Sequence, residues 1–244
     1  MRSGERVLGS VLALAGAASC SHDMADFDDI YSRGNQHLVM CAESIDEKFH
    51  LPLEQITDAM ERAQTDGSTL HLYTHSPGVT VPVSTIEAVL AGAVARGIPF
   101  ATYSELSGGV VPGSLALSFD DHGVDSWTAI RPLLASYHAR VTFFVSGFLE
   151  LSDAERAELR QLADDGHDIE YHSTHHLDAA TYAADHGVDG YLADEIVPGL
   201  DAMQAAGYPI RVFAYPFGAR NESLDDALAP YFTHLRAIRT TCPR

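Results

Sequence analysis

Positive charge is scarce in this chain. Fifteen Lys plus Arg stand against 34 Asp plus Glu, which leaves a formal net charge of −19. Phosphate backbones and anionic membrane surfaces repel such a protein, so nucleic acid is excluded as a partner. Cysteine is scarce too: Cys20, Cys41 and Cys242 are too few for a disulfide framework. The N-terminal apolar stretch, Val7 to Ala18, is too short to span a bilayer as a mature helix. What the chain has instead is 244 residues, 46% of them apolar, enough to bury one α/β-barrel-sized core or two small ones. It also has 13 histidines, a share that points toward metal or acid–base chemistry.

Arg2 and Arg6 precede the apolar stretch and small residues lead into Cys20, the layout of an export signal over residues 1–20. Ala17-Ala18-Ser19-Cys20 resembles a bacterial lipobox, with Ala17 in place of the usual Leu. Lipidation at Cys20 and ordinary cleavage nearby both fit, and a lipid there would be the chain's contact with a membrane. The expected location is the bacterial cell envelope or periplasm, or outside the cell. Residues 21–35 read as a polar linker. An oxidising compartment would allow Cys41 and Cys242 to pair, and two buried thiols fit equally well.

From residue 36 to the end, short β-rich runs alternate with helical patterns. Strands are expected at Leu38–Cys41, Leu70–Thr74 and Phe100–Tyr103, then at Leu115–Phe119, Val141–Val145, Ile169–His172, Val212–Tyr215 and Leu235–Ile238. Pro52 opens one helix, Ser84 to Glu87 caps another, and the box Ser152 to Glu155 opens a third that Gly166 closes. Leu192, Ile196, Leu200 and Met203 form a further helical stripe. Alternation of this kind predicts an α/β fold, a distorted (β/α) barrel of seven to eight parallel strands in a single domain over residues 36–244. Two separate domains is the weaker alternative.

In such barrels the working residues gather where strands end. One expected strand runs into Asp120-Asp121-His122, another into His172-Ser173-Thr174-His175-His176, and a third into Tyr215-Pro216-Phe217-Gly218. Two histidines four residues apart with a carboxylate from another strand make a three-ligand metal site with positions left for water and substrate. Asp120 beside them is free to take a proton from bound water. Adjacent aspartates or clustered histidines alone are weak signals. Their joint placement at neighbouring strand ends is a strong one.

The runs Ser118-Phe119-Asp120-Asp121, Gly166-His167-Asp168-Ile169 leading to His172-Ser173-x-x-His176, and Phe213-Ala214-Tyr215-Pro216-Phe217-Gly218 resemble the successive motifs of the polysaccharide deacetylase (NodB-homology) family, carbohydrate esterase family 4. The resemblance implies Asp120 as general base, Asp121, His172 and His176 as metal ligands, and the Phe217 backbone N–H as an oxyanion donor. Zinc is the implied metal, with cobalt or nickel suited to the same ligands. The implied reaction removes N-acetyl groups from an aminosugar polymer such as poly-N-acetylglucosamine, a chitin-like glycan or peptidoglycan. The alternatives are hydrolysis of another amide, an imide or an O-acetyl ester, or glycan binding without catalysis.

Two departures stand out. The family commonly opens its third motif with an Arg that pairs with the base, where this chain has Ala214. Its last motifs are similar to segments found here near the N-terminus: Gly67 to His75, which makes His75 the general acid, and Cys41 to Asp46, which offers Glu43 or Asp46 as the partner keeping His75 charged. A strand-end histidine with a structural hydrogen bond is the plainer account of His75. Together these segments imply a circularly permuted strand order. Residues 36–106 would supply the family's last βα units, 107–113 the join, and 114–244 the first five. A chain cut from a tandem array is the other possibility.

Overall fold

The computed structural model describes residues 24–33, 38–109 and 111–243. The expected export signal and Cys20 lie outside them. Strand β1 is Tyr31–Ser32, β2 Val39–Ser44, β3 Thr69–Thr74, β4 Ser114–Asp121, β5 Thr142–Val145, β6 Asp168–Tyr171, β7 Val212–Ala214 and β8 His234–Ile238. Seven of them, β2 to β8, pair in parallel around a closed ring in the order β3, β2, β8, β7, β6, β5, β4 and back to β3. Closure removes every open edge except a stretch of β3 that β2 does not reach, and β1 covers that stretch antiparallel. The extra strand belongs to the segment expected as a linker. There Met24 and Ile30 are fully buried, and the Arg62 guanidinium takes the carbonyls of Ala25 and Phe27.

Helices wrap the ring: α1 Leu53–Asp66, α2 Val83–Ala95, α3 Tyr103–Gly108, α4 Val124–Ala129, α5 Arg131–Ser136, α6 Asp153–Asp164, α7 Ala179–Tyr191, α8 Val197–Ala205 and α9 Glu222–Leu228. Strand alternation divides the core in two. Leu70, Leu72, Leu115, Leu117 and Phe119 point outward into the helical layer, while Met40, Ala116, Phe144, Val212 and Ala214 fill the ring from inside. The Ser152 capping box of α6 is present as expected. Helix α2 starts one residue before the expected box, behind Pro82, and has no side-chain cap.

The expected strand Phe100–Tyr103 is not a strand. Phe100 makes one bridge to Leu115, and a capping box of Thr102 with Glu105 turns the chain into α3. Tyr103 and Leu106 of that helix then plug the ring from within, beside Phe144. Seven strands therefore suffice, because a helix fills the space an eighth would have occupied.

Six of the seven ring junctions join strands consecutive in the chain. The seventh, β8 against β2, is crossed by a disulfide between Cys41 and Cys242, 201 residues apart. Closing so long a loop removes much unfolded-chain entropy, roughly 2–5 kcal/mol of stability. Cys41→Ser with Cys242→Ser is expected to lower the melting temperature by on the order of 10 °C. A thermal scan with and without reductant checks this: a wild-type protein indifferent to reductant would contradict it.

Candidate active site

Strand β4 ends in two carboxylates, and alternation sends them to different places. Asp120 points into the ring and is buried, while Asp121 is partly exposed at the rim with φ +83°. Behind β6, the buried His172 sends Nδ1 to the Ala214 carbonyl at 2.8 Å, which turns Nε2 toward Asp121. The Asp121 Oδ1 atom lies 3.4 Å from His172 Nε2 and 2.9 Å from His176 Nε2. His176, Ser173 and Phe217 share the left-handed conformation with Asp121, so four of the six such non-glycine residues among those described gather at this mouth. Each costs on the order of 1 kcal/mol or more, strain that concentrates at functional sites.

The opposite wall comes from the N-terminal half. Thr74 ends β3 and His75 follows it, and Asp46 lies just past β2. His75 Nδ1 lies 2.5 Å from Asp46 Oδ2, and its Nε2 lies 4.0 Å from Asp121 Oδ2. Asp46 also accepts from the Thr74 and Thr80 hydroxyls, at 2.6 and 2.9 Å. Burial pushes the Asp46 carboxyl up, but these donors outweigh it and hold it below the usual carboxylate range. Burial likewise pushes His75 down, while Asp46 and the charges of Asp120 and Asp121 raise it above an ordinary imidazole. These groups and Phe217 line one cleft of about 420 Å³.

A polysaccharide deacetylase family model matches residues 108–231, just over half of the chain. The chain belongs to that family. It is a hydrolase acting on amide bonds. Among solved structures, it resembles IcaB from Ammonifex degensii with a TM-score of 0.50 at 17% identity, over 66% of this chain and 76% of that one. The BpsB deacetylase domain from Bordetella bronchiseptica aligns with TM-score 0.49 and 14% identity over 87% and 96%. The Streptococcus pyogenes deacetylase PplD, in complex with acetate, aligns with 0.48 and 18% over 68% and 89%. At these identities the likeness to IcaB speaks for the fold. No curated protein matches by sequence.

The arginine missing from the deacetylase's third motif has a substitute one strand away. Ala214 on β7 is the register partner of Arg236 on β8, and the Arg236 guanidinium reaches Asp120 Oδ2. Tyr73 and Phe144 flank that guanidinium at 4.9 and 5.1 Å, and it is almost completely buried. Asp120 on β4 is thus held from across the ring by β8, the strand next to β7, with Oδ1 left without a hydrogen-bond partner among the described residues. The signal was present in the sequence: alternation puts His234 and Arg236 on one face of an otherwise apolar strand.

The remaining residues fall into place around this core. Glu43, the other candidate partner for His75, instead pairs with Arg239. His71 faces the ring interior between Ser32 and Tyr103, and burial pushes its pKa down to about 3. Trp127 is core, and its indole N–H also holds the His75 carbonyl at 2.9 Å. His122 is tied to the Ser146 carbonyl at 3.0 Å.

Asp121, His172 and His176 are the group among the described residues suited to hold a cation, with donor atoms all within 4.8 Å of one another. Asp121 Oδ1 is buried and lacks a hydrogen-bond partner, although two imidazole nitrogens face it. A carboxylate oxygen in that position suits a divalent cation better than a proton. Burial pushes the Asp121 carboxyl up, and the two facing imidazoles overcome it and hold it well below the usual range. No helix among the described residues is long and apolar enough to cross a membrane.

Proposed function

We propose that this deacetylase removes N-acetyl groups from an aminosugar polymer with the help of one divalent metal, zinc for preference. The observation that carries the reading is the 4.0 Å approach of His75 to Asp121, which brings an acid and a ligand set from opposite halves of the chain to one cleft. A two-imidazole, one-carboxylate set suits zinc, and cobalt or nickel fit it too. Asp121, His172 and His176 would hold the ion, whose chemistry is to acidify water and polarise the acetyl carbonyl.

The chain's own groups do the rest. Asp120 accepts the proton of the attacking water at Oδ1 while Arg236 holds Oδ2 and aims the carboxylate. The Phe217 N–H donates to the developing oxyanion. His75 gives a proton to the departing nitrogen, so the amine does not leave as an anion, and Asp46 balances the imidazolium. Strands β2 and β3 lie between β8 and β4, which supports the circularly permuted order expected of residues 36–106 and 114–244. Export to the cell envelope is supported by the Cys41–Cys242 bond, which suits an oxidising compartment.

Acetate release from poly-β-1,6-N-acetylglucosamine, chitooligosaccharides, peptidoglycan and acetylated xylan tests the substrate class. Release confined to xylan, or none from any of the aminosugar polymers, would overturn the aminosugar substrate. Chelation is expected to abolish release and added zinc, cobalt or nickel to restore it. Asp121→Ala is expected to bind no metal under the same conditions. Full activity after chelation would sink the metal assignment.

A further inference from the structure

The ligand loop between β6 and α7 is held from outside by a part of the fold that carries no ligand itself. The helical stripe expected through Leu192, Ile196 and Leu200 is interrupted. Pro198 has no N–H to give the Asp194 carbonyl, and the chain responds with a π-helical turn over Leu192–Ile196, where the Val197 N–H reaches back to Leu192. The Glu195 carbonyl turns to the ligand loop, accepting from the Thr174 N–H at 2.9 Å and the Tyr171 hydroxyl at 2.6 Å. Gly199 gives its N–H to the Thr174 hydroxyl. A Cβ at Gly199 would lie 2.5 Å from the Tyr171 oxygen, so the contact needs glycine.

The Glu195 side chain goes further. It is fully buried, yet it engages both neighbours of His176: Oε2 accepts from the His175 N–H at 3.0 Å and the Leu177 N–H at 3.4 Å, and Oε1 meets His175 Nδ1 at 2.6 Å. Ser173 at φ +73° and His176 at φ +59° occupy conformations that their side chains disfavour. A loop with such backbone relaxes unless its surroundings fix it.

The geometry points to Glu195 as a positioning residue for the metal site: its buried carboxylate clamps the backbone on both sides of His176 and so sets where Nε2 stands. The inference rests on the reading of His176 as a metal ligand. Groups that orient metal ligands without touching the ion contribute about 10- to 100-fold to metal affinity.

The test is a competition titration of the metal-free protein with zinc ion alone against a chromophoric chelator, paired with thermal melts of the same metal-free samples. Glu195→Asp keeps the carboxyl group but withdraws the acceptor by one methylene, and is expected to weaken zinc binding about 10- to 100-fold. Glu195→Ala is expected to do the same where it folds. Glu195→Gln supplies an acceptor oxygen of the right length and is expected to stay within a few-fold of wild type. A folded Glu195→Asp with unchanged zinc affinity, whatever its melting temperature, overturns the proposal by showing that Glu195 only packs. A Glu195→Gln as weak as Glu195→Ala overturns it as well, because an intact acceptor would then not suffice. Asp121→Ala in the same titration separates the two levels: if it binds zinc like wild type, the ligand assignment itself has failed.

Discussion

Asp120→Asn is expected to bind metal like wild type and to lose about 10²- to 10⁴-fold in kcat, the range a positioned general base contributes. The substitution keeps the side chain's shape and removes the basic oxygen at the cleft. It also leaves Arg236 with a neutral partner in the middle of the barrel, where both side chains are almost fully buried. An uncompensated buried charge costs about 3–5 kcal/mol, so the melting temperature should fall together with activity. Kinetics must therefore be measured well below the variant's melting point. Arg236→Met makes the reciprocal change, stranding the Asp120 carboxylate instead. Its activity should fall because Asp120 loses the partner that holds its Oδ2 and aims the carboxylate. Near-normal turnover in folded Asp120→Asn, with metal bound, would remove Asp120 from the mechanism.

The second large effect concerns the acid. His75→Ala is expected to lower kcat by about 10²- to 10⁴-fold, with little change in metal affinity. The pH profile is the sharper measurement. His75 titrates above the ordinary 6.5 because Asp46 and nearby carboxylates outweigh burial, so activity should persist to higher pH than a free imidazole would allow. Asp46→Asn removes the leading favourable partner and leaves the burial, so the alkaline limb should move to lower pH. For stability, the raised His75 contributes fully below its unfolded-state pKa, and the contribution is lost as pH rises through the folded one. The lowered Asp46 contributes above the ordinary 3.8, and the contribution is lost as pH falls through its folded value. The pair thus stabilises the protein between those limits, and melts of wild type against Asp46→Asn across pH should show the gap closing at both ends. An alkaline limb that stays put in Asp46→Asn would mean that another group sets it.

Much of this site was legible because its residues sit at strand ends. Asp120 and Asp121 close an apolar run, and His172 and His176 follow another, so periodicity placed them before any contact was known. The elements that resisted reading did so for identifiable reasons. Ile98 to Tyr103 carries no helical period, and of the helix-starting pair Thr102 falls inside the expected strand while Glu105 lies two residues past it. Pro198 sat within an otherwise regular helical stripe, and the stripe hid the turn it causes. Arg236 escaped because its partner lies 116 residues away in sequence, a pairing that only the closed ring reveals. Glu43 and Asp46 were indistinguishable by composition. The strand end decides between them, sending Asp46 to His75 and Glu43 to Arg239.

The junction of β8 with β2 has a kinetic side. The barrel closes only when a strand made early meets one made nearly two hundred residues later, and such distant pairings fold slowly. Until β8 arrives, β2 lacks one neighbour, and Arg236 is absent from the ring, so Asp120 has no cation beside it. Every chain that stops short of β8 is therefore an open sheet in which Asp120 lacks its Arg236 partner. A stalled or truncated product should be inactive, prone to association through the exposed strand, and readily degraded.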